Sequence, residues 1–135
     1  MPTIPTPDRR ASPVERRRRR TDLITQALTY QLRACCEDGD MHAMVVADGD
    51  GLALASSGDA DACGEVAASM VHVGARTDGF SGTLLGDGQR WDVEMARVTV
   101  DGSALVVCAV GGTAEQRRRQ VSRGAQGTLR ILGAA

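Results

Sequence analysis

Residues 44–59 decide the fold: Met44-Val45-Val46-Ala47-Asp48-Gly49-Asp50-Gly51-Leu52-Ala53-Leu54-Ala55-Ser56-Ser57-Gly58-Asp59. Met41 to Ala47 is apolar on both faces, the pattern of a strand inside a sheet. Asp48-Gly49-Asp50-Gly51 supplies residues that tolerate positive φ, which predicts a tight hairpin turn. Leu52 to Ser56 then returns as a second strand. Ser57 to Asp61 reads as a loop and a helix cap, with Asp59 or Asp61 taking the orphan N–H groups. The acids also invite comparison with a calcium loop, which needs an oxygen ligand at position 5, glycine at 6 and glutamate at 12. Counted from Asp48, those positions hold Leu52, Ala53 and Asp59, so the comparison fails.

Upstream, residues 1–12 read as a disordered arm, with Pro2, Pro5 and Pro7 among charge and threonine. Ser12-Pro13-Val14-Glu15 is a capping box with proline at the first helical position. It predicts a helix to about Glu37, with Ile24, Ala27, Leu28, Leu32 and Cys35 on its apolar side. Its first turns, Arg16 to Arg20, have no apolar face and are expected to project into solvent and fray. Downstream, a second helix is expected from about Ala60 to Thr77. Cys63, Val66, Ala67, Met70, Val71 and Gly74 lie on one side, with Val73 off that stripe. Ala68, Ser69, Gly74 and Ala75 make it small-sided.

Three strands follow. Phe80 to Leu85 is short. Gln89 to Val100 alternates through Trp91, Val93 and Met95, then through Ala96, Val98 and Val100. That phase change predicts a bulge, or a strand serving two neighbours. Asp101-Gly102 turns the chain into Ala104 to Val110, which is continuously apolar and expected to be central. Thr113-Ala114-Glu115-Gln116 caps a last helix whose apolar stripe is Val121, Ala125, Leu129 and Leu132. Gly124 and Gly127 are expected to weaken it. The order α-β-β-α-β-β-β-α predicts an α/β (α+β) domain over residues 13–135: a five-stranded antiparallel sheet flanked by helices on both faces.

The 135 residues suit one domain, and the net charge of −1 conceals an asymmetry. Residues 1–20 carry seven arginines against two acids, and residues 21–135 carry nine arginines against fifteen acids. There is no lysine, which excludes a phosphate-loop lysine, a Schiff base and a lysine general base. Tyr30, Phe80 and Trp91 are the only aromatics, too few for a base-stacking platform. No signal-peptide pattern and no membrane-length apolar run is present, which predicts a cytoplasmic chain with reduced thiols.

No motif supports catalysis, a metal site or a cofactor. Cys35 and Cys36 are adjacent, so on a helix they point about 100° apart and cannot grip one ion. With Cys63 and Cys108 they read as buried apolar thiols, with Cys36 the candidate for a more exposed, redox-active one. His42 and His72 would need a thiol within reach to form a nucleophile pair, and no nucleophile-elbow motif supports one. The run Arg16, Arg17, Arg18, Arg19 and Arg20 has three readings: a solvated helix start, a partner-docking arm for an acidic protein, or sequence-independent attraction to nucleic acid or anionic membrane. Nucleic acid is the disfavoured partner of the chain as a whole.

The stretch Met44 to Asp59 resembles the first hairpin of the roadblock (dynein-light-chain-like) domain. Gly102-Ser103-Ala104-Leu105-Val106-Val107 is similar to its penultimate turn and last strand. The resemblance covers about residues 22–133 and implies a roadblock/profilin-like fold without a cofactor. It implies a non-catalytic scaffold or regulator of bacterial type that binds a Ras-like small GTPase and modulates its GTP hydrolysis or localisation. It also implies a homodimer, or a heterodimer with a related domain, built on the second helix and the third strand. The matching positions are Val66, Met70, Val73 and Arg76 on the helix and Ser81, Thr83 and Leu85 on the strand. The alternative reading is a small-molecule or thiol-redox sensor of profilin/PAS-like shape using an internal pocket and Cys63 or Cys108.

Overall fold

A computed structural model describes residues 12–86 and 88–133; the expected arm before Ser12 lies outside them. Ser12 caps the first helix, its hydroxyl accepting from Glu15 N–H at 3.1 Å. That helix, α1, spans Pro13–Gly39 and includes the arginine run. It ends two residues later than expected because Gly39 stays helical and Asp40 takes the left-handed cap at φ 54°. A β-carbon at Gly39 would strike the buried Gln120 side chain, which explains the glycine inside the last turn.

The strands are β1 (Ala43–Ala47), β2 (Ala53–Gly58), β3 (Gly79–Gly86), β4 (Gln89–Val100) and β5 (Ser103–Val110), with α2 (Ala60–Gly74) after β2 and α3 (Ala114–Gly133) last. They form one antiparallel sheet ordered β2-β1-β5-β4-β3. As their composition predicts, β1 and β5 are interior. In the first turn the Asp48 carboxylate accepts from Asp50 and Leu52 N–H at 2.9 and 3.0 Å, and Gly51 alone of the two glycines has positive φ. At Asp101-Gly102 both residues have positive φ, the mirror-turn geometry that suits a twisted hairpin.

Two apolar layers enclose the sheet. Leu28, Leu32, Met44, Val46, Val98, Val107 and Val121 fill the layer under α1 and α3. Val45, Cys63, Val66, Met70, Val93, Met95 and Cys108 fill the layer under α2. Complete burial of Leu28 or Leu32 contributes about 1.5–3 kcal/mol each. The two helices α1 and α3 run antiparallel, since Arg130 reaches Gln31 and Arg123 reaches Asp38. Gly124 and Gly127 are buried at this crossing, where a β-carbon would press on Val107, Met44 and Gln31. Their cost in helix propensity is offset by the close approach they allow.

No bulge interrupts β4. Its register is continuous with β3 and with β5. The alternating apolar pattern changes phase because coverage changes: α2 lies over Trp91, Val93 and Met95, whereas Ala96, Val98 and Val100 meet the α1–α3 layer. The register shift lies instead in the first hairpin, between Val46 and Ala47 opposite Ala55 and Ala53.

Candidate interaction surface

Strand β3 is one of the two edges of the sheet, and among the described residues it pairs with β4 alone. The phase of its ladder follows from two bonds. Arg97 N–H donates to Asp78 O, and Gly111 N–H donates to Asp92 O. Antiparallel ladders alternate, so the odd residues of β4 bond to β3 and its even residues to β5. On β3, Phe80, Gly82 and Leu84 therefore bond inward. Ser81, Thr83 and Leu85 turn their backbone N–H and C=O groups out to the open edge. Leu85 is also 80% exposed, a large apolar side chain beside unpaired backbone.

The expected helix residues divide differently. Val66 and Met70 are fully buried in the layer beneath α2 and have no surface for a partner. Val73 is half-buried and Arg76 is exposed. The outer side of α2 instead presents Gly64, Glu65, Ala68, Ser69 and His72. Between this side and the β3–β4 hairpin runs an open groove of about 300 Å³ lined by Glu65, Ala68, Ser69, Leu84, Leu85, Gly86 and Trp91. Glu65 accepts from Trp91 Nε1 at 2.8 Å and braces the groove. The His42 ring stacks on Trp91 with centroids 5.5 Å apart, and its Nε2 lies 3.4 Å from Asp59 Oδ2. Asp59 is the cap of α2, accepting from Ala62 N–H at 3.0 Å, and that bond holds its carboxyl below the usual range.

The histidines do not meet the thiols. His42 is engaged by Trp91 and Asp59, and His72 is exposed outside α2 while all four cysteines are buried and free. Cys36 belongs to the layer under α1 and Cys63 to the layer under α2, and both thiols donate to the Ser57 carbonyl of the edge strand β2, at 3.8 and 3.6 Å. Burial raises the Cys35, Cys63 and Cys108 thiols and pushes Cys36 up to about 11. A protonated, enclosed thiol is a poor nucleophile, so this arrangement gives no support to a thiol sensor. The raised values also set an alkaline limit. The unfolded thiols ionise near 9.0 while folded Cys36 holds its proton to about 11, so unfolding releases protons in that window and stability falls as pH rises. Denaturation midpoints are expected to hold below pH 9 and drop toward 11, with thiol-reagent labelling tracking unfolding rather than preceding it.

Among the described residues no group of three His, Cys, Asp or Glu is placed to hold a metal ion. None of their helices is long and apolar enough to cross a membrane.

In sequence, neither a known family nor a curated protein matches the chain. Solved structures do match in shape. An MglB with a tetrameric arrangement superposes with TM-score 0.64 at 14% identity, over 82% of this chain and 91% of that one. The gliding protein MglB from Thermus thermophilus gives 0.62 at 15% identity, over 83% and 93%. A Roadblock/LC7 domain from Streptomyces avermitilis gives 0.51 at 15% identity, over 79% and 98%. With its α+β order, its single five-stranded antiparallel sheet and these superpositions, the chain has the roadblock fold.

Proposed function

We propose that this chain is a non-catalytic scaffold or regulator of a Ras-like small GTPase and works as a dimer in the cytoplasm of a bacterium. The observation that carries the reading is the open edge of β3. It stands beside the small-residue outer side of α2 on a roadblock fold. An unpaired strand carrying an exposed leucine is a liability unless another strand covers it. A second copy, related by a two-fold axis, covers it by pairing β3 with β3 and laying the α2 helices side by side. Ser81, Thr83, Leu85 and Arg76 keep their place in this interface. Ala68, Ser69 and His72 take the place of Val66 and Met70. The joined platform offers a GTPase an extended surface that carries no lysine.

Light scattering is expected to give twice the chain mass of 14.2 kDa. Adding the protein to the small GTPase encoded nearest to it is expected to yield a complex or a changed hydrolysis rate. A single-chain mass at micromolar concentration overturns the dimer, and absence of both complex and rate change overturns the GTPase role.

A further inference from the structure

We propose that the arginine-bearing first turns of α1 are a docking element for duplex DNA. Every residue from Ser12 to Leu23 is exposed, and Ile24 is the first to touch the core. The pairing of Arg130 with Gln31 and of Arg123 with Asp38 sets the antiparallel register. With α3 ending at Gly133, the turns before Ile24 stand past its last turn. The exposed helical residues 13–23 reach about 16 Å beyond the body at 1.5 Å each. They carry five arginines against Glu15 and Asp22.

The arrangement of charge selects the partner. Consecutive helical residues step by about 100°, so Arg16 to Arg20 place guanidinium groups all round the helix. Arg16, Arg19 and Arg20 share one side, and Arg17 and Arg18 point away from it. A flat acidic protein face meets the first set only. A membrane-surface helix needs an apolar stripe, but the exposed apolar residues here, Val14 and Leu23, are nine positions apart and so lie on opposite sides. The major groove of B-DNA is about 12 Å wide, admits an α-helix and presents phosphates along both walls. The deep, narrow major groove of duplex RNA does not admit one. Arginine also suits phosphate, with planar donors that bond two oxygens at once.

The acidic body is the objection to a DNA partner, and distance answers it. At physiological salt charges are screened over about 8 Å, roughly half the reach of the arm. The body's acids are therefore largely screened at the far arginines.

The test is fluorescence anisotropy with the full chain and a labelled duplex of about 20 base pairs of arbitrary sequence in about 50 mM salt. Binding is expected, with a log–log salt slope of about −4 to −5 if all five arginines meet phosphates. Replacing Arg16, Arg17, Arg18, Arg19 and Arg20 together by glutamine should weaken binding at least about tenfold and flatten the slope. The variant should melt as the parent does, because none of these residues touches the core. Arg118→Gln with Arg119→Gln, exposed on α3, is the charge control and should stay within about twofold. The proposal is overturned if the duplex does not bind, or if the five-fold variant binds like the parent. It is equally overturned if polyglutamate or phosphatidylserine vesicles take the arm while duplex does not.

Discussion

Replacing Gly58 by alanine is expected to destabilise the domain by about 3 kcal/mol or more, a large part of the 5–15 kcal/mol typical of a folded domain. Gly58 closes β2 at φ 90°, in a region that side chains rarely occupy. Such strain costs of order 1–3 kcal/mol by itself. A β-carbon there would also lie 2.8 Å from Ala43 Cα, and closer still to the His42 carbonyl oxygen. Both are backbone atoms, of the first residue of the neighbouring strand and of the residue before it, so no side-chain rotation relieves the clash. Moving that strand apart disturbs the Asp59 N–H bond to His42 O, and with it the cap of α2. For a domain of this size the melting temperature should fall by about 10 °C or more. Gly49→Ala is the control. Its β-carbon meets nothing within 4 Å and its φ is not positive, so its melting point should hold or rise slightly. All variants should be compared at one protein concentration, since dimerisation would itself raise the apparent stability. Equal melting of G58A and the parent would refute the close approach of β1 and β2 seen here.

Much of this framework is legible in the residues. Ser12 and Thr113 read as side-chain caps and cap helices in the structure, and of the two candidates for α2, Asp59 and Asp61, it is Asp59 that caps. The continuous apolar runs of β1 and β5 announce strands covered on both faces. Two of the sequence patterns each admit two physical causes. The phase change in β4 allows a bulge or a strand serving two neighbours, and the second holds: β4 is straight and pairs with β3 over Gln89–Ala96 and with β5 over Val93–Val100. Likewise the stripe through Val66 and Met70 marks the side of α2 that its own sheet buries. Periodicity reports that a face is covered without saying by whom, so it cannot separate core from interface. The outer side of α2, made of Gly64, Ala68 and Ser69, signals only by being small. The open edge of β3 is composed of backbone groups, and the exposed Leu85 is the one large apolar side chain that marks it.

A backbone interface calls for a backbone test, and proline at position 83 supplies one. The Thr83 N–H faces the open edge, so Thr83→Pro leaves the inward β3–β4 ladder of Phe80, Gly82 and Leu84 intact. Proline is tolerated on edge strands at such positions. The folded chain loses the hydroxyl bond from Thr83 to Asp92, an exposed bond of 2.9 Å, and little else. The dimer loses much more. Two-fold symmetry brings the substitution in twice, removing two donors and placing two rings where strands must approach to about 4.8 Å. At about 1 kcal/mol for each lost bond, before any clash, dissociation should strengthen about thirtyfold, and with the clash by a hundredfold or more. The expected result is a folded protein of single-chain mass with the far-ultraviolet spectrum of the parent. Gly82→Pro distinguishes the edge from the strand as a whole: it removes an inward donor and should cost folding stability. If T83P keeps the doubled mass, the dimer does not pair through this edge. The outer side of α2, with Ala68, Ser69 and His72, would then have to hold the copies together alone, and Ala68→Arg would be the substitution that separates them.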